Sequence, residues 1–188
     1  MKLWELEAVL QDVKPFEKPN IKLEQYLTTP HLAAHTLYTA AFNYEDIEDK
    51  VVLDLGTGTG MLAIASAHCG AAHVIGVDID TGALAIAQQN SEDCEVSDKI
   101  DFVNANVHDI LSGRWNVDTV VLNPPFGTRM KGADLQFLSV AAQIAKHAVY
   151  SLHKSSTRDF VLRTAESWGC KATVVAELVY DLPKTYSF

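Results

Sequence analysis

The sequence predicts an α/β fold with a doubly wound, mostly parallel sheet, and three features predict it. From residue 51 onward, short apolar runs alternate with segments of helical length, the pattern of strand–helix–strand units joined by right-handed crossovers. A glycine loop, Gly56-Thr57-Gly58-Thr59-Gly60, follows the first run directly. A later run, residues 117–122, ends on Asn123-Pro124-Pro125-Phe126. Open α/β sheets bind ligands outside the carboxyl ends of their strands, where both of these stretches fall.

With 188 residues the chain is long enough for one domain with a substantial core and too short for two. It reads as a single domain over 1–188, with a helical cap over 1–45 and the α/β core over 50–188. Composition is that of an ordinary globular protein, 48% apolar and 21% charged, and no apolar run approaches membrane-spanning length. Acids among the first seven residues do not suit a signal peptide, so no membrane and an intracellular location are expected. Cys69, Cys94 and Cys170 are odd in number and widely spaced, which predicts idle thiols in a reducing compartment. Net charge is −9, from 24 acids and 15 bases, which counts against broad electrostatic binding to nucleic acid.

Taken in order, Leu3, Leu6, Val9, Leu10 and Val13 recur at helical spacing, and Pro15 and Pro19 close that helix. Thr29 before Pro30 predicts an N-cap and first-turn proline for a helix running to about Tyr44. Polar Gln25 and Thr28 sit in the extended lead-in to it. His31 and His35 lie one turn apart, the spacing of a metal pair. No zincin-type Glu stands between them and the sequence offers no third ligand, so they are read as non-metal histidines. Strands are expected over residues 51–55, 73–78, 100–107, 117–122, 148–153 and 172–180. Helices are expected over 61–68, 83–90, 133–147 and 157–168, the last capped by Ser155 or Ser156.

The glycine loop departs from the dinucleotide fingerprint, because Met61 stands where that pattern needs its third glycine. Asp54 immediately before the loop is unfavourable beside a pyrophosphate and favourable near a cation. S-adenosylmethionine, which has no phosphate and carries a sulfonium and an ammonium, therefore fits better than NAD. Asp78 ends the second strand, where its two carboxylate oxygens can accept both ribose hydroxyls. Asn123-Pro124-Pro125-Phe126 suits methyl transfer to a planar nitrogen. Such a nitrogen is a poor nucleophile and needs acceptors for its N–H groups. The Asn123 side-chain oxygen and the Pro124 carbonyl supply two; both prolines stiffen the turn, and Phe126 can stack on a base. The alternative is an ordinary proline-rich turn after a strand. In the strand order 3-2-1-4-5 the two loops are neighbours, so donor and acceptor would meet side by side.

Several stretches together resemble a known family, the eukaryotic methyltransferase-like enzymes that form N6-methyladenosine in 18S ribosomal RNA. They are Phe16-Glu17-Lys18-Pro19, Leu23-Glu24-Gln25-Tyr26 with Thr28, Pro30-His31, Asp54-Leu55-Gly56, Asn123 to Thr128, Tyr150 to Arg158, and Tyr180-Asp181-Leu182-Pro183. The resemblance implies a Rossmann-like class I methyltransferase sheet, with this sequence ending before the last strand of that sheet: either it is cut short or the sixth strand is left without a hairpin partner. It implies cofactor contacts from Gln25, Thr28, Gly56, Gly58, Thr59, Met61, Asp78, Asn106 and Val107. Asn123, Pro124, Pro125 and Phe126 would hold the adenine, and His153, Lys154, Arg158, Arg129 and Lys131 are candidates for a basic rim. It further implies a small zinc-binding activator subunit paired along strand 100–107, and a place in cytoplasm and nucleus. Thr57 and Thr59 stand where relatives often carry cysteine, and Asn106 where an acid usually meets the adenine amino group. Guanine-N2 and glutamine-amide methylation, and a non-catalytic scaffold for ribosome assembly, are the rival readings.

Overall fold

The computed structural model describes residues 1–127 and 130–180. Five strands, β1 (Val51–Leu55), β2 (His73–Asp78), β3 (Ile100–Asn104), β4 (Val117–Leu122) and β5 (Ala145–Ser151), form one parallel sheet in the order β3-β2-β1-β4-β5. The helices are α1 (Leu3–Leu10), α2 (Pro30–Tyr38), α3 (Met61–His68), α4 (Thr81–Asp93), α5 (Ala133–Ile144) and α6 (Arg158–Ser167). Alternation along β1 sends Val52 into one apolar cluster with α1, α2 and α3, and Leu53 and Leu55 into a second with α5. Both sheet faces are thus covered, as the near-continuous apolar runs of β1 and β4 require.

Several boundaries move. Helix α1 stops at Leu10, before Pro15 is reached. Thr29 caps α2 as expected, accepting from Leu32 N at 3.3 Å, but after Tyr38 the chain widens into a π turn over Thr39–Asn43. β3 ends at Asn104, so Asn106 and Val107 lie beyond it, and Asn106 instead caps a 3-10 turn by accepting from His108 N. α5 gives way to β5 at Ala145, three residues before the expected strand, because pairing with β4 begins at Val117↔Ala145. α6 has Thr157 at its N-cap with no side-chain cap bond, and Ser155 and Ser156 belong to the preceding 3-10 turn. Residues 172–180 form no strand: no ladder bonds pair them with any described residue, and Val175 and Val179 stay exposed. Thr128, Arg129 and residues 181–183 of the resembling stretches lie outside the described residues.

The N-terminal arm is fastened to the core by one buried amide. Asn90 on α4 donates to Lys14 O at 3.0 Å and Thr59 O at 2.8 Å, and accepts from Lys14 N at 3.0 Å. It joins the arm to the glycine loop, and Phe16 then lies against that loop. Asn90→Ala would leave two carbonyls and an amide without partners. We expect it to destabilise the fold by about 2–3 kcal/mol in urea melts, against under about 0.5 kcal/mol for a surface change such as Gln88→Ala.

Candidate active site

The site forms where β1, β2 and β4 end. After Leu55 the chain must turn sharply beneath β2, and Gly56 N and Thr57 N both donate to Val77 O at 2.9 Å. Gly58 has φ +55, and a Cβ there would meet Phe16 Cζ at 2.9 Å. Gly60, at φ +90, caps α3 and would press Ala87 Cβ at 3.2 Å. Side chains are excluded at both points by backbone conformation and by space.

A cleft of about 230 Å³ opens over this loop. Gln25, Thr28, Gly56, Gly58, Thr59, Met61, Asp78, Asn106, Val107, Asn123 and Pro125 all line it. Pro124 is buried behind the turn, and Phe126 faces a larger neighbouring groove of about 1060 Å³ along β5 and residues 170–180. The smaller cleft holds the polar constellation; the larger meets it at Tyr26, whose ring lies against Phe126.

Asp78 accepts from Gly58 N at 2.8 Å with one oxygen and from Asp80 N at 2.9 Å with the other. Each oxygen keeps a further lone pair, which suits a vicinal diol. Burial raises its pKa above the usual carboxylate value, opposed by these two amides. Gln25 lines the cleft with both ends of its amide engaged: Nε2 donates to Asp80 Oδ2 at 2.7 Å and Oε1 accepts from Asn20 N at 2.7 Å. Its part in this structure is to fix the arm.

Thr28 takes a position that its place before the α2 cap does not reveal. Its Oγ1 accepts from Asn123 Nδ2 at 2.9 Å. The other end of that amide, Asn123 Oδ1, is buried and meets no hydrogen-bond donor among the described residues. A buried carbonyl oxygen left without a donor costs free energy, and it marks where a ligand N–H belongs. Beside it Phe126 and Tyr26 lie nearly parallel, 18° between planes and 5.9 Å between centroids, with Lys154 Nζ 5.4 Å from the Phe126 centroid.

Two of the proposed rim residues fall elsewhere. His153 has only 11% of its side chain exposed. Its Nε2 is 2.8 Å from Ser151 Oγ, and Nδ1 faces Asp134 Oδ2 at 3.6 Å. Burial lowers its proton affinity, partly offset by Asp134, so it stands behind the Asn-Pro-Pro-Phe turn as a neutral ring. Arg158 is ion-paired with Glu177. Tyr26, Phe16 and Asn90 were not singled out by spacing. Asn90 had one available signal, as a polar residue in the Ala-rich face of α4.

Comparison with known proteins agrees with this geometry. The profile of the ribosomal protein L11 methyltransferase (PrmA) family matches residues 34–124. The rRNA N(6)-adenosine-methyltransferase METTL5 of Danio rerio is 49% identical over 190 residues, covering 100% of this chain and 91% of that protein. The Drosophila melanogaster protein of the same name is 44% identical over 191 residues, covering 100% and 89%. Among solved structures, a candidate RNA methyltransferase from Pyrococcus horikoshii superposes with a TM-score of 0.80 at 35% identity, covering 90% of this chain and 82% of that one.

Beneath the loop, Asp54 Oδ2 accepts from Thr57 Oγ1 at 2.6 Å and Ala63 N at 3.0 Å, while Oδ1 is buried without a partner. Burial raises the Asp54 pKa from 3.8 to about 7, against the pull of Thr57 and Ala63 and with a small push from Asp78. The folded chain therefore holds a proton that the unfolded chain releases near pH 3.8. This contribution to stability is full below pH 3.8 and is lost as pH rises through about 7. Between about pH 5 and 8 the wild type should lose more stability in urea melts than Asp54→Asn does; parallel pH profiles would contradict the assignment.

Proposed function

The chain belongs to the METTL5 family of rRNA N6-adenosine methyltransferases, and from that membership we propose that it forms N6-methyladenosine in 18S small-subunit ribosomal RNA, with S-adenosylmethionine as methyl donor. The observation that carries this reading is Asn123: its amide nitrogen is held by Thr28 and its oxygen is buried without a donor at the mouth of the cleft.

In the proposed reaction, Asn123 Oδ1 and the Pro124 carbonyl accept the two N–H groups of the adenine amine. They hold its lone pair out of conjugation and in line for attack. S-adenosylmethionine, when bound, supplies a methyl carbon attached to a positively charged sulfur. Transfer would leave the donor as a neutral thioether, while Asn123 Oδ1 and the Pro124 carbonyl would keep the amine in place as its N6 proton is lost to water. No dedicated base is needed, since the methylated ammonium is strongly acidic. Asp78 would accept the ribose hydroxyls, and Phe126 would stack on the target base once it leaves its helix. Gly56, Gly58, Thr59 and Met61 would line the donor, with Asn106 and Val107 beside its adenine. The Asn106 oxygen already accepts from His108 N, so only its second lone pair is available there.

The activator subunit belongs to the same proposal. β3 is one of the two outer strands of the described sheet, with β5 at the other edge, and a partner strand added along it would extend the sheet and shield an edge. Such a partner could also supply basic surface to a chain of net charge −9.

The test is transfer of labelled methyl from S-adenosylmethionine to small-subunit ribosomal RNA, with and without the activator, followed by digestion to nucleosides. Label is expected in N6-methyladenosine; label in N2-methylguanosine or in protein glutamine would overturn the substrate assignment. Asn123→Ala should lower turnover by about 10²–10³-fold, the range for loss of one pre-positioned transition-state contact, with donor binding preserved. Thr28→Val, which frees the amide but keeps the shape, should lower kcat by about tenfold with little change in RNA KM.

A further inference from the structure

Helices α1 and α2 meet along a seam of fully buried apolar side chains, Leu6 and Leu10 from one and Ala33, Ala34 and Leu37 from the other. That seam fixes which polar residues share its rim. His31 and His35 are one turn apart on α2, so their rings project from the same face. Glu7, adjacent to Leu6 on α1, faces them from across the seam. Its Oε1 lies 3.3 Å from His31 Nδ1, and the two imidazole centroids are 4.3 Å apart with a 53° tilt. One ligand atom from each of the three residues falls within 4.8 Å of the others.

The third ligand absent from the local sequence is therefore supplied by a different helix. Two imidazole nitrogens and one carboxylate oxygen form a donor set suited to zinc, whose bonds of about 2.0–2.2 Å leave a fourth position for water. Tetrahedral bonds of that length put ligand atoms roughly 3.3–3.5 Å apart. Side-chain rotations alone can close the remaining gap, because the backbones on both sides are held by the buried seam. The groups lie at the surface, with 50% of the His31 side chain and 32% of the Glu7 side chain exposed, so an ion has an entry path.

We propose that Glu7, His31 and His35 bind one zinc-class divalent cation that ties α1 to α2. None of the three residues lines the donor cleft, although His35 lines the larger groove that Phe126 faces. The cation's effect is on the helical cap: α2 begins at Pro30, two residues after the Thr28 that holds Asn123.

The test is titration of the chelator-stripped full chain with zinc chloride, read by calorimetry and by thermal unfolding, for wild type, Glu7→Gln and the double variant His31→Ala/His35→Ala. The expected result is one zinc per chain with a dissociation constant on the order of micromolar, and a melting temperature raised by a few degrees at saturation. Glu7→Gln should weaken binding by about tenfold and the double variant should abolish it. Donor binding should stay at the wild-type level in both, which also verifies their fold. Cobalt substitution gives an independent readout, since its visible bands should change in Glu7→Gln. Absence of binding at roughly 100 µM zinc, about 100-fold above the expected constant, would overturn the site. So would binding that the double variant leaves intact.

Discussion

The structure turns on a single hydrogen bond, from Asn123 Nδ2 to Thr28 Oγ1. The Asn123 side chain is an amide with a donor end and an acceptor end, and chemistry at an amine requires the acceptor end to face the substrate. Thr28 takes the donor end, so the orientation is set before any ligand arrives. Such an arrangement costs folding free energy, because the acceptor stays buried and unpartnered. What it provides is a catalytic contact that needs no reorganisation during the reaction.

That bond joins residues 95 apart in sequence, so its geometry depends on everything that holds the N-terminal arm over the sheet. Asn90 clasps the arm at Lys14, Phe16 leans on the loop at Gly58, and Gln25 reaches Asp80 beside Asp78. The arm therefore contacts the donor side of the cleft and the acceptor side together. The helical cap is one reason this chemistry can rest on short loops: the loops are covered and braced from above. His153 and Asp134 stand behind the Asn-Pro-Pro-Phe turn, with Asp134 Oδ1 close to Gly127.

Much of the fold was legible because strand ends carry their own chemistry. Glycines with positive φ and an Asn-Pro-Pro-Phe turn announce where β1 and β4 stop, and from those the sheet order follows. Less legible were features set by partners distant in sequence. Residues 133–153 are apolar enough for helix or strand throughout, and only pairing with β4 fixes the change at Ala145. Residues 172–180 have strand-like composition, yet composition alone supplies no partner for their backbone. In sequence Thr28 is only part of the extended lead-in to a helix, His153 a candidate rim cation, and His31 and His35 a pair without a third group. Each took its role from a residue on another element: Asn123, Asp134 and Glu7. Net charge decides less, because an average over the whole chain says nothing about a local surface or about a partner's contribution.

The central claim is that Asn123 Oδ1 is an acceptor held ready for an adenine amine. A crystal structure of the chain with S-adenosylhomocysteine and adenosine tests it most directly. The account predicts adenosine N6 at hydrogen-bond distance, about 2.7–3.2 Å, from both Asn123 Oδ1 and the Pro124 carbonyl, with the base against Phe126 and the Thr28–Asn123 bond unchanged. An Asn123 amide turned to donate toward the ligand, or a base seated away from Pro124 and Phe126, would contradict it.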